Sequence, residues 1–207
     1  MKTNFKYFLS EIDAIIKKDP AMHSKIEVLL CSSGFHAVFF YRIANCLWKK
    51  EFKLLARVFS QFARFFTGVE IHPAAKIGNN FFIDHGFGVV IGETTEIGNN
   101  VTLYQNVTLG GTGKDVGKRH PSIGDNVIIG SGAQVLGPVN IGKNAKIGSN
   151  AVVLKDVPSF ATAVGVPAHT ILGKTKKRSC FVAYGVCCDD PLQQEIDEIK
   201  NELKRKK

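Results

Sequence analysis

Between about Val69 and about Leu172 an aliphatic residue returns at every sixth position. The first run is Ile71, Ile77, Ile83, Val89. The register then slips by two to Ile91, Ile97, Leu103, Leu109, and the longest run is Ile123, Ile129, Val135, Ile141, Ile147, Val153. A small residue often follows, as at Gly78, Gly98, Gly124 and Gly142. Neither a helical nor a plain strand period explains a spacing of six. A fixed period marks a repeat architecture. Each hexad is expected to make one short strand and one turn. Its aliphatic residue points inward, and Gly or Asn takes the tight corner, where φ is positive. Three hexads close one triangular coil, and stacked coils bury one another's apolar rows. The fourteen hexads predict between four and five coils of a parallel β-helix. A β-sandwich with regular turns gives no reason for such a lattice.

The pattern changes on both sides of the repeat. Residues 4–18 carry Phe5, Phe8, Leu9, Ile12, Ile15 and Ile16 on one helical side. Asp19-Pro20 ends that helix, with Asp19 suited to cap the next one and Pro20 to begin it. Further helices are expected over 24–31, over 35 to about 49, and over 52–66. After the repeat, Leu192, Ile196, Ile199 and Leu203 are spaced as a coiled-coil stripe. They predict a last helix over 190–204, packed on a neighbouring chain or on its own prism. The fold class expected is α+β: a helical cap over 1–67, a β-helix over 68–173, and a basic linker with a C-terminal helix over 174–207. Residues 110–122, Gly-Gly-Thr-Gly-Lys-Asp-Val-Gly-Lys-Arg-His-Pro-Ser, lie between two hexad runs and must leave the prism as a loop. A long loop on a rigid scaffold is a usual place for function.

Composition narrows the classes. Apolar residues make up 44% of 207, enough for a packed core. No run of 18 apolar residues suggests a membrane span, and the N-terminus lacks a signal-peptide apolar core, so cytoplasm is expected. The five cysteines, Cys31, Cys46, Cys180, Cys187 and Cys188, contain no Cys-x-x-Cys and are odd in number, which argues against a disulfide framework or a zinc site. The net charge of +9 divides as +6 over 1–67, zero over 68–173 and +3 over 174–207. The basic excess therefore flanks the repeat and forms no coherent stripe for nucleic acid.

Three histidines lie on or beside the prism: His72, His85 and His120. For His72 a structural, hydrogen-bonded role is preferred. His85 stands where a strand should show a small or aliphatic residue, directly after Asp84 and fifteen residues after Glu70. A carboxylate on one imidazole nitrogen fixes the tautomer and leaves the other nitrogen to take a proton from an alcohol.

Longer motifs carry a more specific likeness. Ile71-His72-Pro73-Ala74-Ala75-Lys76-Ile77-Gly78 and Ile83-Asp84-His85-Gly86-x-Gly88-Val89-Val90-Ile91-Gly92-Glu93-Thr94 resemble serine O-acetyltransferases. So do Val107-Thr108-Leu109-Gly110-Gly111-Thr112-Gly113-Lys114 and Arg119-His120-Pro121, as do Asp19-Pro20-Ala21 and Gly34-Phe35-His36-Ala37-x-x-x-Tyr41-Arg42-Ile43 in the cap. The resemblance covers about residues 15–173. It implies left-handed coils and transfer of acetyl from acetyl-CoA, as co-substrate, to the hydroxyl of L-serine, giving O-acetylserine for cysteine synthesis. No metal is implied. His85 matches the general base, and Glu70 falls where the family usually has its partner Asp. Asp84 and Asp19 match the carboxylates for the substrate ammonium, and Arg119 and His120 the group for its carboxylate. Gly111, Ser131, Ser149 and Lys155 match the coenzyme A groove. The resemblance also implies a homotrimer, with a dimer of trimers where the helical domain is longer than here, and L-cysteine as inhibitor. Members that dock on O-acetylserine sulfhydrylase end in Ile; this chain ends Lys204-Arg205-Lys206-Lys207, which counts against that docking.

Three other readings fit the sequence less well. A hexapeptide acetyltransferase for a sugar or antibiotic also uses one His, but the carboxylates around His85 together with Arg119-His120 suit a zwitterion better. A carbonic anhydrase of this fold needs three imidazoles on zinc, and no His follows His85 until His120. A non-enzymatic scaffold predicts an unbroken repeat without an extruded loop.

Overall fold

The computed structural model describes residues 5–113 and 116–171, with side chains described from Ser10 onward. Four helices come first: α1 (Phe5–Lys18), α2 (Lys25–Cys31), α3 (Ser33–Lys49) and α4 (Lys53–Thr67). Two-residue and three-residue strands then follow at the hexad spacing. The first coil holds β1 (Glu70–Ile71), β2 (Lys76–Ile77) and β3 (Phe82–Ile83); the second β4 (Val90–Ile91), β5 (Glu96–Ile97) and β6 (Thr102–Leu103). The third holds β7 (Thr108–Gly110), β8 (Ser122–Ile123) and β9 (Ile128–Ile129); the fourth β10 (Gln134–Leu136), β11 (Asn140–Ile141) and β12 (Lys146–Ile147). β13 (Val152–Val153) and β14 (Thr162–Val164) finish the stack, and β15 (His169–Ile171) pairs antiparallel with β14.

Stacking gives three sheets, whose strands pair in parallel apart from β15. They are ordered β1-β4-β7-β10-β13 (first face), β2-β5-β8-β11 (second face) and β3-β6-β9-β12-β14-β15 (third face). Ile71 pairs with Ile91, Ile91 with Leu109, Leu109 with Val135 and Val135 with Val153, so the aliphatic row of the sequence is one column of the core. The two-residue slip after Val89 has a physical origin. The turn from Asp84 to Val89 is two residues longer than its counterparts higher in the stack, and Val89 is buried without being in a strand.

Gly and Asn take positive φ at the corners as expected, Gly132 and Asn106 among them, but at one set of corners the two residues divide the work. At the corners after β2, β5, β8 and β11, Asn80, Asn100, Asn126 and Asn144 are left-handed, with φ of 53°, 57°, 58° and 58°. The Gly before them is needed for closeness instead. A Cβ on Gly78 would lie 2.5 Å from the Gly98 carbonyl oxygen, and one on Gly98 2.5 Å from Asp125 Oδ1. Asn supplies the turn because it tolerates the left-handed region; Gly lets the next coil stack.

The helices are fastened to the lower coils. Ala37, Val38 and Tyr41 of α3 share one buried cluster with the prism aliphatics. Tyr41 Oη donates to the Ala75 carbonyl at 2.6 Å, and burial pushes its pKa up to about 12. Arg42 donates to the carbonyls of Ile77 and Gly78. Lys18, the last residue of α1, donates to the Asn80 carbonyl at 3.2 Å, and burial pushes its pKa down to about 8. α3 begins two residues before the expected start because the Ser32 hydroxyl caps it, accepting from Phe35 N. Likewise Ser24, not Asp19, caps α2, and Pro20 lies in a turn outside it. The helix expected over 190–204 lies outside the described residues. Among the described residues no single helix is long and apolar enough to cross a membrane; α2 and α3 pass that test of length and composition only as a pair bent by 74°.

Candidate active site

Three edges join the faces, and the sequence-assigned residues fall mainly on two of them. The first edge, between the third and first faces, carries Asp84 and His85. His85 is not in a strand, as its place in the hexad suggested, but in the extended turn, with φ of 58°. A non-glycine residue in that region needs its surroundings to hold it there. Here Asp84 N donates to the Leu103 carbonyl at 2.8 Å and Gly86 N to that of Asp84 at 2.7 Å. Ser33 Oγ on α3 donates to the His85 carbonyl at 3.1 Å. The imidazole is left outward, its side chain 65% exposed, with Nε2 3.8 Å from Asp84 Oδ1. Burial raises the Asp84 pKa, His85 opposes that, and the nearby Asp19 carboxylate raises it further. Asp19 sits in the α1–α2 turn, where Oδ1 accepts from Ala21 N at 2.8 Å. A second carboxylate beside Asp84 makes the pair a place where a cation is favoured.

Backbone hydrogen bonds climb this edge. Asn106 N donates to the Phe87 carbonyl, Gly132 N to that of Gln105, and Asn150 N to that of Ser131. Ser131 and Ser149 therefore stand above the His85 turn, their hydroxyls 3.2 Å apart. Glu70 lies on β1, paired with Val90 on the strand that leaves this turn. Its carboxylate is joined to Arg64 at 2.9 Å, and among the described residues no hydrogen bond or ion pair joins it to His85.

The second edge, between the first and second faces, carries the extruded loop. Arg119 is paired with the Glu93 carboxylate, and that hydrogen bond holds the Glu93 pKa below the usual carboxylate range. His120 is only 8% exposed. Its ring covers Gly92, where a Cβ would sit 2.0 Å from Cδ2, and its Nε2 lies 3.6 Å from the Cβ that Gly111 lacks. Lys118 Nζ donates to the Thr94 carbonyl at 2.7 Å. Lys155 stands higher, in the exposed turn after β13. His72 faces the same edge. Burial and then Arg57 push its pKa down to about 4, and Nδ1 accepts from Ala74 N at 3.0 Å, so it is neutral and structural.

Thus Asp19, Asp84, His85, Ser131 and Ser149 gather at one edge, and Arg119, His120, Gly111 and Lys155 at the other. One chain does not bring the two groups together. A face of about five extended residues separates the edges by roughly 15 Å, much more than an amino acid spans. Ser33, Glu93 and Thr94 were assigned no role from the sequence. Glu93-Thr94 stood inside a quoted motif, but its link to residues 25 or 26 positions later has no signal in spacing.

A profile of bacterial transferase hexapeptide repeats (six repeats) matches residues 120–155. A serine acetyltransferase of Bacillus licheniformis is 51% identical over 208 residues, covering 98% of this chain and 96% of the relative. Among solved structures, a soybean serine acetyltransferase complexed with serine superposes with a TM-score of 0.78 at 46% identity, covering 80% of this chain and 68% of that one. Two further serine acetyltransferase structures cover 80% of this chain. One, in complex with cysteine, has a TM-score of 0.78 at 46% identity over 69% of its own chain; the other, in complex with CoA, has 0.76 at 44% over 68%.

Proposed function

This chain belongs to the serine acetyltransferase family, and from that premise we propose how its residues divide the work of moving acetyl from acetyl-CoA to the serine hydroxyl. The observation that carries the reading is the opposite charge of the two edges. Asp84 and Asp19 suit an ammonium; Arg119 and His120 suit a carboxylate; serine carries one of each. Between them His85 takes the hydroxyl proton as the oxygen attacks the thioester carbonyl. A C–O bond forms, the C–S bond breaks, and the imidazolium returns its proton to the departing CoA thiolate. Ser131 and Ser149, stacked above His85, and Gly111 and Lys155 on the opposite edge line the path for coenzyme A. The place of Glu70 on β1 below the turn supports it as partner of His85; its Arg64 ion pair competes with that role.

The reading also requires a second copy. The outward positions of the first face are Val90, Thr108, Gln134 and Val152, above Glu70. The corresponding row of the second face is Lys76, Glu96, Ser122 and Asn140. The nearly uncharged first face lies between the two half-sites. Three chains with that face on a threefold axis, as a closed ring, set each His85 edge against a neighbour's Arg119 edge. α4 adds exposed apolar surface at Leu54, Val58, Phe62 and Phe65, more than a solitary chain ordinarily leaves uncovered.

Subunit mixing tests this. His85→Ala and Arg119→Ala proteins, each crippled alone, are co-refolded in equal amounts and assayed for CoA thiol release with L-serine. If the edges combine across chains, random mixing regenerates roughly one quarter of the wild-type sites. A mixture no more active than its parents overturns the shared site.

A further inference from the structure

The second edge contains a residue that the proposed acetyl transfer does not use, yet on which the Arg119 and His120 donors depend. Thr94 follows Glu93 at the corner after β4. Its hydroxyl oxygen accepts from the backbone N–H of Arg119 at 3.1 Å and from that of His120 at 3.1 Å. Both oxygen lone pairs are then engaged. The one hydroxyl hydrogen is left for His120 Nδ1, 2.9 Å away. The backbone N–H of Thr94 is also directed at His120 Nδ1, at 3.2 Å.

A backbone N–H can only donate, so Nδ1 must accept. Two donors facing one ring nitrogen leave no room for a proton on it. His120 is therefore neutral, and its single hydrogen is on Nε2. That nitrogen has no acceptor among the described residues and is not one of the buried unpartnered polar atoms. Gly111 stands beside it: a Cβ there would lie 3.6 Å from Nε2 and 3.5 Å from Arg119 Cγ.

We propose that Thr94 is a positioning residue for the substrate carboxylate: it fixes His120 as the Nε2–H tautomer and pins the returning loop, so that this N–H and the Arg119 guanidinium form one donor pair. This rests on the reading that Arg119 and His120 receive the carboxylate. The geometry explains the local sequence. Gly92 must lack a side chain so that the ring can lie over it, and Thr94 must carry a hydroxyl because two backbone N–H groups of the loop have no other acceptor among the described residues. The charged groups facing His120 are Arg119 and Lys118, which with burial oppose its protonation, and Glu93, which favours it.

The test is Thr94→Val, which keeps the shape and removes the hydroxyl, with Thr94→Ser as the conservative control. Thr94→Val is expected to raise KM for L-serine roughly tenfold, the size of one lost hydrogen bond in a buried set, while kcat and KM for acetyl-CoA stay within twofold. Thr94→Ser is expected to restore serine KM. A purely structural role predicts loss of all three parameters together and would overturn the proposal. A second readout needs no variant at Thr94. In 15N-histidine NMR of the wild-type enzyme, with His120 assigned by the loss of its signals in His120→Gln, Nε2 should carry the proton. A proton on Nδ1 overturns the proposal whatever the variant does. If Arg119→Ala and His120→Gln leave serine KM unchanged, the carboxylate reading fails and takes this inference with it. If they raise it and Thr94→Val does not, the inference about Thr94 alone fails.

Discussion

The two edges of the prism differ in how finished each is within one chain. At the Arg119 edge the guanidinium has a carboxylate partner, His120 is buried over Gly92, and Thr94 ties the loop back. At the His85 edge the backbone is held firmly, by Leu103 and by Ser33, but the imidazole is open and its nearest charge, Asp84, is 3.8 Å away. On the proposed division of roles, the difference teaches that the recognition half is preorganised by its own chain, while the proton-transfer half is aimed by its backbone and left for a neighbour and substrate to complete. Preorganised donors act without reorganising at the moment of reaction; an open base can still be approached by two substrates.

The sharpest way to break the comparison is at the base. His85→Ala is expected to lower kcat by about 10²–10⁴ with its melting curve preserved, because loss of a general base costs that much and the side chain is largely exposed. Steady-state kinetics within threefold of wild type would exclude His85. At the opposite edge Arg119→Ala should act on binding. Serine KM is expected to rise by roughly ten- to a hundredfold, the range for a charge-assisted hydrogen bond. L-Cysteine has the same ammonium and carboxylate as serine. It is therefore expected to inhibit competitively against serine, and the variant should weaken that inhibition by a similar factor. Cysteine inhibition that survives the substitution unchanged would separate the two ligands' sites.

Glu70 decides whether the His85 edge has a hidden partner. If Glu70 orients the imidazole, Glu70→Gln lowers kcat by about tenfold while KM for acetyl-CoA holds, and Glu70→Asp is tolerated. Arg64→Ala should then leave kcat unchanged. Should Glu70→Gln be as active as wild type, the Arg64 ion pair is the whole of its role.

The smallest expected effect is a difference in pH dependence. Asp84 has a raised folded pKa, so the fold favours its protonated form. Its contribution to stability is greatest in acid and is lost as pH rises through the carboxylate range. Glu93 has a depressed folded pKa, so its contribution is present above its ordinary value and is lost as pH falls through the folded one. Asp84→Asn is therefore expected to raise Tm at neutral pH and Glu93→Gln to lower it, each by roughly 1–3 °C given partial solvent screening. Both should converge on wild type at the acid end of an acid-to-neutral melting series, where each carboxyl is protonated, and depart from it in opposite directions towards neutral pH. Parallel shifts at every pH would show that charge is not what distinguishes the edges.

Much of the fold was legible because its period is local. One aliphatic residue per hexad must face inward, so Ile71, Ile91, Leu109, Val135 and Val153 announce one column of the core without any tertiary information. The extruded loop was legible for the same reason, as the piece that breaks the lattice. The division of labour at the corners was not. Sequence alone cannot tell a glycine needed for positive φ from one needed because the next coil passes 2.5 Å from its Cβ, as at Gly78.

The candidate residues themselves were written in short motifs, since Asp84-His85 and Arg119-His120 are each contiguous. The sequence by itself determined the prism, its approximate number of coils, the loop and these two pairs, because period and adjacency are properties of the chain's order. Only the tertiary structure decided that the pairs stand on different edges, that Ser131 and Ser149 rise above His85, and that Thr94 holds His120. Those relations depend on which residues a coil brings into register. The inserted turn at 84–89 and the loop at 110–122 shift that register by amounts no spacing rule contains. A hydrogen bond between residues 94 and 120 is set by where the chain returns, and the chain returns where the stacked aliphatic core puts it.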